Sequence, residues 1–356
     1  MFRIHFSLLL SSLFISVISF AQSNPDSVHL MGERHIFNIR QLTFGGDNAE
    51  AYWSFDGKKI CFQRTDHKTL MCDQIFFGSV PQDSDQAFSY QMVSTGKGRT
   101  TCSYFMPGDS LVLFASTHAN ADSCPPVPDR HKIGKYVWPL YDSYDIYISG
   151  LDGKVRKQLT SNPGYDAEAT VSPKGDKIVF TSMRSGDPEL YTMNIDGSNV
   201  KQITNTMGYD GGANFSPDGK KIVWRASRPT TVAERTEYSD LLAQGLVAPT
   251  DMALFVANAD GTDVHQITNE AGASWAPAWL PNNKQIIFAS NFDYPRGFPF
   301  NLYIINIDGS GLTRITGDEV FDAFPLFSPD GRQLIFCSNR NNGGGHDTNI
   351  FIADWR

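Results

Sequence analysis

The feature that most restricts this chain is a short motif that returns six times. Lys157-Gln-Leu-Thr160, Lys201-Gln-Ile-Thr204 and His265-Gln-Ile-Thr268 are close copies, and Thr313-Arg-Ile-Thr316, Arg40-Gln-Leu-Thr43 and Gln91-Met-Val-Ser94 are further ones. A turn sequence follows each copy. Ser172-Pro-Lys-Gly175, Ser216-Pro-Asp-Gly219 and Ser328-Pro-Asp-Gly331 are nearly identical, while Ser54-Phe-Asp-Gly57, Met106-Pro-Gly-Asp109 and Leu280-Pro-Asn-Asn283 are degenerate. Proline presets the first turn angle, and Gly or Asn accepts a positive φ, which suits a tight hairpin.

Each turn leads into an apolar strand with an aromatic near its end: Phe62, Phe114, Phe180, Trp224, Phe288 and Phe336. A third strand carries Phe76, Tyr147, Tyr191, Phe255, Tyr303 and Phe351. Asp196-Gly197, Asp260-Gly261 and Asp308-Gly309 then turn the chain into the Gln-Ile-Thr strand. Every repeat therefore holds four short strands. One such sheet cannot bury both faces alone, but six arranged radially can. The expected fold is all-β, a six-bladed β-propeller of four-stranded antiparallel blades. The last repeat ends after its third strand, Asn349-Ile-Phe-Ile352, and its fourth is available in Ile39-Arg-Gln-Leu-Thr43. The N-terminal strand is thus expected to complete the last blade and remove an exposed edge.

Composition agrees with a soluble all-β protein: 25 Phe, 13 Tyr, 6 Trp, 30 Gly and 19 Pro in 356 residues. The net charge of −8 argues against nucleic acid, because phosphate binding needs clustered Lys and Arg. Arg3 followed by an apolar run from Phe6 to Phe20, with small residues at Ser19 and Ala21, reads as a secretory signal peptide over residues 1–21. Residues 22–38 form an N-terminal segment and 39–356 the propeller. No later stretch is apolar and long enough to span a bilayer. Export permits disulfides among Cys61, Cys72, Cys102, Cys124 and Cys337, with the connectivity open and one cysteine left over.

The pattern Tyr165-Asp166 … Ser172-Pro-Lys-Gly175 … Ile178-Val-Phe180 … Leu190-Tyr191 … Asn194-Ile-Asp-Gly197 resembles the TolB-type, WD40-like (PD40) propeller repeat over nearly the whole chain after the leader. The resemblance implies a six-bladed propeller of the bacterial cell envelope, periplasmic, often serving protein–protein interaction. TolB itself carries an α/β domain before its propeller; here fewer than 20 residues separate Ala21 from the first strand.

Loop lengths show which face is elaborated. Phe114 and Tyr147 stand 33 residues apart and Trp224 and Phe255 31, against 11 between Phe180 and Tyr191. Both insertions join strands two and three, so they share a face, and binding residues favour loops held on a rigid scaffold. The opposite turns are tight except at Pro81 to Ser89. In the repeat-four insertion, Thr231-x-x-Glu234 matches a capping box. Val232, Tyr238, Leu241 and Leu242 approximate a helical stripe, and Gly245 suits a stop. A helix over about 231–244 is expected, as a lid or docking element.

Asp166, Asp210 and Asp322 begin three innermost strands, with Asn48, Thr100 and Ser274 in the other copies. Two residues on stand Glu50, Cys102, Glu168, Gly212, Ala276 and Phe324. One reading is an acidic channel mouth able to hold a cation or a basic ligand. The favoured reading is structural: the aspartates satisfy turn amides or pair with Arg184, Arg228 and Arg340, as mortar between blades. His67, His118, His131 and His346 lie in loops of one face and offer a weak metal-site signal, without any H-x-H or H-x-x-x-H pair. Trp138, Tyr165, Tyr209, Trp275 and Phe321 could line the same mouth, stacking on sugars, anchoring a peptide, or packing the loops.

No G-x-S-x-G, H-E-x-x-H, P-loop or dinucleotide fingerprint occurs, so catalysis would need scattered channel residues. The expectation is an exported, non-catalytic interaction module acting on an envelope protein or peptide through the loop-rich face, with no cofactor. Two alternatives remain: a channel-site enzyme (carbohydrate lyase, hydrolase or peptidase-associated, with or without a metal) and a sensor of a small ligand or saccharide.

Overall fold

The repeated Gln-Ile-Thr motif has one structural cause in all six blades. In the computed structural model, which describes residues 28–83, 86–295, 297–317 and 320–356, the motif's last residue clips the outer strand to its neighbour. The hydroxyls of Thr43, Ser94, Thr160, Thr204, Thr268 and Thr316 accept the backbone N–H of Ile350, Ile75, Ile146, Leu190, Leu254 and Leu302 at 2.8–2.9 Å. The residue before each hydroxyl donates its own N–H to the same partner's carbonyl at 2.8 Å. A side-chain acceptor thus prolongs the ladder where the regular strand is only two residues long, as in Lys201–Gln202, His265–Gln266 and Thr313–Arg314. The expected leader, residues 1–21, lies outside the described residues.

Six four-stranded antiparallel sheets result. Their innermost strands are Asp47–Trp53, Thr100–Phe105, Asp166–Val171, Asp210–Phe215, Ser274–Trp279 and Asp322–Phe327. The ring closes as the terminal phasing requires. Ile36–Gln41 pairs antiparallel with Asn349–Trp355, with Gln41 opposite Phe351. The closing strand carries the same hydroxyl clip as the others, since Thr43 Oγ accepts from Ile350 and also donates to Asn349 Oδ1 at 3.2 Å. Thr43→Val keeps the shape and leaves a buried N–H without its partner, at a cost of about 1–2 kcal/mol. Urea unfolding checks this, and an unchanged midpoint would mean that the clip contributes nothing to closure.

The aromatic columns are cross-strand pairs. Phe62, Phe114, Phe180, Trp224, Phe288 and Phe336 stand directly opposite Phe76, Tyr147, Tyr191, Phe255, Tyr303 and Phe351. Ring centroids are 5.7–6.4 Å apart. Pairs at this spacing contribute about 0.5–1.5 kcal/mol beyond the area they bury. On the far face all six tight turns close through an i to i+3 backbone hydrogen bond, Gly175 to Ser172 at 2.8 Å being typical.

A second sixfold feature was not legible in the sequence. Each innermost strand is interrupted by a bulge two or three residues after its start. The bulged residues Glu50, Cys102, Glu168, Ala276 and Phe324 have φ between +46° and +56°, and Gly212 has +64°. A left-handed backbone costs a non-glycine residue on the order of 1–3 kcal/mol. Glycine is required in blade four, because a β-carbon at Gly212 would collide with the Arg225 guanidinium.

One disulfide, Cys72–Cys124, joins the long loop of blade one to the insertion of blade two, and Cys61, Cys102 and Cys337 are buried free thiols.

Candidate functional site: the capped channel

The two insertions recognised by their length meet each other. Trp138–Pro139 from blade two pairs antiparallel with Leu246–Val247 from blade four, with Val247 opposite Trp138 and Leu246 opposite Pro139. The helix Val232–Leu242 leads into this ribbon. Its first turn is held by reciprocal bonds: Thr231 Oγ accepts from Glu234 N at 3.2 Å and Glu234 Oε2 accepts from Thr231 N at 2.9 Å. Tyr238 and Leu241 turn inward, whereas Val232 is 83% exposed and does not join that stripe. Val137, Leu241 and Leu246 form a small core, with Ile133 packed against it. Lys135 pairs with Glu237, and the Tyr238 hydroxyl donates to Asp187 of blade three. Together these make one cap.

The cap covers the channel mouth. The Arg225 guanidinium lies 5.1 Å from the Trp138 ring, and the same ring is 5.3 Å from Trp275 and 6.5 Å from Tyr209. Trp275 stacks on Phe300 at 4.3 Å and donates its indole N–H to Pro249 O in the cap at 2.9 Å. Tyr165 packs edge-on against Tyr144 at 5.7 Å. Phe321 is partly exposed and contacts Phe298 and Phe300. Among the aromatics read as mouth residues, Tyr165, Tyr209 and Trp275 are therefore buried packing groups, and Trp138 and Phe321 are half-buried.

Below the cap, all six bulge residues line the channel, together with Arg225 and Tyr52. The remaining space is about 40 Å³ measured to water centres, room for only a few waters. Glu168 is saturated. Its carboxylate accepts from Thr181 Oγ at 2.9 Å, Gly212 N at 3.0 Å, the Tyr209 hydroxyl and the Arg225 guanidinium. Burial disfavours the Arg225 charge, but Glu168 outweighs it and the guanidinium is held ionised. The sequence reading does not single out Arg225, although a lone Arg in the otherwise apolar run Ile222–Ala226 is the available signal. Glu50 has no such partner, and burial pushes its carboxyl up to about 7 against the pull of Cys102 and Arg225.

The aspartate column has a structural role, within blades rather than between them. Arg184 pairs with Asp166 at 3.0 Å, Arg228 with Asp210 through two bonds of 2.6 and 2.9 Å, and Arg340 with Asp322 at 2.8 Å. Each Asp is on the innermost strand and each Arg follows the second strand of the same sheet. These guanidiniums also lie over the blade's aromatic pair, at 5.0 Å from Tyr191, 4.7 Å from Phe255 and 5.0 Å from Phe336. Burial raises the Asp210 carboxyl to about 6 in spite of Arg228. Arg340 additionally holds Glu33 and the Val28 carbonyl of the N-terminal segment, a tie that no local pattern announced.

The four histidines do not converge. His118 occupies the place that Arg184 takes in the next blade. Its ring lies 4.3 Å from Tyr147, its Nδ1 meets Ser116 Oγ at 2.9 Å, and burial followed by Lys97 lowers its basicity. His67 meets Asp47 at 2.7 Å, while His131 and His346 are exposed. Among the described residues no three His, Cys, Asp or Glu side chains form a metal-binding group.

Comparison with known proteins fits this geometry. The structure assigned as TolB from Agrobacterium tumefaciens aligns with a TM-score of 0.56 at 19% identity, over 89% of this chain and 97% of that one. TolB from Acinetobacter baumannii gives 0.51 at 17%, over 87% of this chain, which spans only 63% of that one. Oligogalacturonate lyase from Vibrio parahaemolyticus gives 0.53 at 13%, over 88% and 79%. At these identities the likeness shows the fold alone. The profile of the TolB beta propeller domain, PD40, matches residues 128–241 and 247–352, more than half of the sequence, and the chain belongs to that family.

Proposed function

We propose that this protein is an exported, periplasmic propeller that works as a non-catalytic protein–protein interaction module of the cell envelope, through its capped face. The observation that carries the reading is the distribution of exposed apolar side chains. Among the described residues, Met31, Phe44, Met71, Val127, Val232 and Phe298 are each 60% or more exposed. All six sit on the capped face, in the N-terminal segment or in loops that join strands two and three or successive blades. The exposed apolar groups of the other end, Val155, Val200, Val264 and Leu312, are at 36–48%. Single exposed apolar residues are ordinary; it is their gathering at one end of the ring that supports the reading.

Two further observations support the reading. The Cys72–Cys124 disulfide suits an oxidising compartment outside the cytoplasm. The channel's small free volume is far below the roughly 300–1,000 Å³ of a typical small-ligand pocket, which weighs against the saccharide and sensor readings.

The test is a photo-crosslinking side chain placed in the native envelope at Phe298 and Met71, and for comparison at Val200 and Leu312. A discrete protein adduct from the first pair alone supports the proposal. No adduct, or equal adducts from both faces, rejects it.

A further inference from the structure

The disulfide ties a rigid element to an unsupported one. Cys72 is 4% exposed and stands just before the third strand of blade one, Gln74–Ser79. Its surroundings are well bonded: Gly98 O accepts from Gln74 Nε2 at 2.8 Å, Asp73 O accepts from Thr100 N at 3.0 Å, and Arg99 pairs with Asp73 at 2.5 Å. Cys124 is half-buried and belongs to the blade-two insertion, in which no residue from Ala119 to Tyr136 is buried. The other ties of that stretch are few. Gly98 N donates to Asp122 O at 2.9 Å, the Tyr141 hydroxyl donates to Pro126 O at 2.7 Å, and Lys97 pairs with Asp122 with both side chains more than half exposed. Exposed ion pairs hold little, whereas a cross-link between residues 52 apart removes much of the chain's freedom. The covalent bond is thus the main anchor of the first half of the insertion.

The bond also arranges surface. Met71, at 66% exposure, precedes one half-cystine, and Val127, at 64%, follows the other by three residues. Closing the bond sets these two apolar side chains, from separate blades, in one neighbourhood of the capped face.

Both redox states are accommodated. Cys72 Sγ lies 3.0 Å from Gly98 O. A cystine sulfur has no proton to donate and a thiol has one, so an acceptor is already in place for the reduced form. Cys61 and Cys337 are fully buried, and burial pushes their thiols up to about 12. Cys102 is raised as well, first by burial and then by Glu50. None of the three supplies the thiolate that reshuffling needs, so the bridge opens and closes without a competing cysteine.

Resting on the interaction reading above, we infer that Cys72–Cys124 is a reversible redox clamp, which holds the insertion against blade one when oxidised and releases it, with the Val127 part of the interaction face, when reduced. The reductant is a protein dithiol. Its thiolate attacks Cys124 Sγ, the more accessible half-cystine, and Cys72 leaves and takes up a proton. The second thiol of the dithiol then displaces Cys124 from the mixed disulfide. Two electrons and two protons pass to the cysteines, and the dithiol becomes a disulfide. The ring itself stays closed.

The test uses the full chain, folded, with dithiothreitol as the dithiol. Reduction should make Cys124 reactive to iodoacetamide and leave Cys61 and Cys337 unlabelled. Amide exchange read by mass spectrometry should rise at least tenfold across residues 119–136 and in the peptide containing Gly98. It should stay within twofold in blades five and six, and return to the starting pattern on reoxidation. Cys72→Ser with Cys124→Ser should show the released pattern without any reductant. A photo-crosslinking side chain at Val127 should lose its adduct on reduction at least tenfold relative to one at Phe298. A bond that resists dithiothreitol in the folded chain, exchange unchanged after reduction, exchange that rises throughout the ring, or a Val127 to Phe298 ratio indifferent to reduction would each overturn the proposal. Absence of adducts at both positions in the oxidised protein would reject the interaction reading, and the clamp would then stand or fall on the exchange data.

Discussion

Arg340→Met should unfold this protein more readily than any other single surface-distal change we can name, by about 3–5 kcal/mol. Arg340 is 2% exposed in side chain. Its guanidinium donates to Asp322 at 2.8 Å, to both oxygens of Glu33 at 2.9 and 3.2 Å, and to Val28 O at 2.9 Å. It also lies 5.0 Å from the Phe336 ring. Methionine preserves most of the apolar stem but leaves two buried carboxyls facing each other with no cation between them. Breaking a buried pair from one side is far costlier than never having made it. The N-terminal segment should loosen together with blade six, so limited proteolysis near residues 28–35 should accelerate. Arg332, at 86% exposure and 3.9 Å from Asp330, is the control, and Arg332→Met should stay within about 0.5 kcal/mol. Replacing Glu33 and Asp322 by Gln and Asn in the Arg340→Met background should recover part of the loss. A loss below about 1 kcal/mol for Arg340→Met would show that the network carries no strain-free energy of its own.

Stability should be greatest in mildly acidic solution and fall as the pH rises towards 8. Glu50 and Glu189 both have carboxyls raised from 4.5 to about 7, first by burial. For Glu189 the nearby Asp210 and Asp187 add to the effect, and its Oε2 has no hydrogen-bond partner. Between pH 4.5 and 7 the folded chain keeps protons that the unfolded chain has released. The unfolded state therefore binds fewer protons, the slope of stability against pH is negative, and stability is lost as the pH passes through the folded value. Each group accounts for up to about 3 kcal/mol over that window. Below about pH 4 the trend reverses, because Asp56, Asp218 and Asp330 are held below the usual carboxylate range, chiefly by hydrogen bonds from the serine of their own turn and neighbouring amides. Denaturant unfolding from pH 4 to 8 measures the profile. Glu189→Gln and Glu50→Gln should each flatten it and raise stability at pH 8. A profile that climbs from pH 5 to 8 in the wild-type chain would refute the assignment.

The channel behaves differently from what its acidic lining suggests. Glu168, which sequence reading placed at a binding mouth, spends its acceptors on Tyr209, Thr181, Gly212 and Arg225. The three column aspartates are likewise taken by arginines of their own blades. Of the two lining carboxyls, Glu168 is paired with Arg225, while Glu50 has no salt-bridge partner among the described residues. Under the interaction reading proposed above, the surface left for a partner is the cap and the exposed apolar side chains around it.

Sequence alone determined the blade number, the order of strands within each blade, the aromatic pairing positions and the closure by the N-terminal strand. These follow from interactions between residues close in the chain, repeated six times: a turn that needs Pro and Gly, a hydroxyl that satisfies one backbone N–H, two rings placed opposite each other by hairpin register. Repetition multiplies a weak local signal until it is unambiguous. The ring's closed geometry decided the rest. It brought Trp138 to Val247, Cys72 to Cys124, Arg340 to Glu33 and Arg225 to Glu168. Each contact joins segments that are distant in sequence and occurs once, so no period marks it. The left-handed bulges differ in that they recur in every blade, but the position is filled by Glu, Cys, Gly, Ala or Phe, so no shared residue type announces a backbone that most side chains avoid.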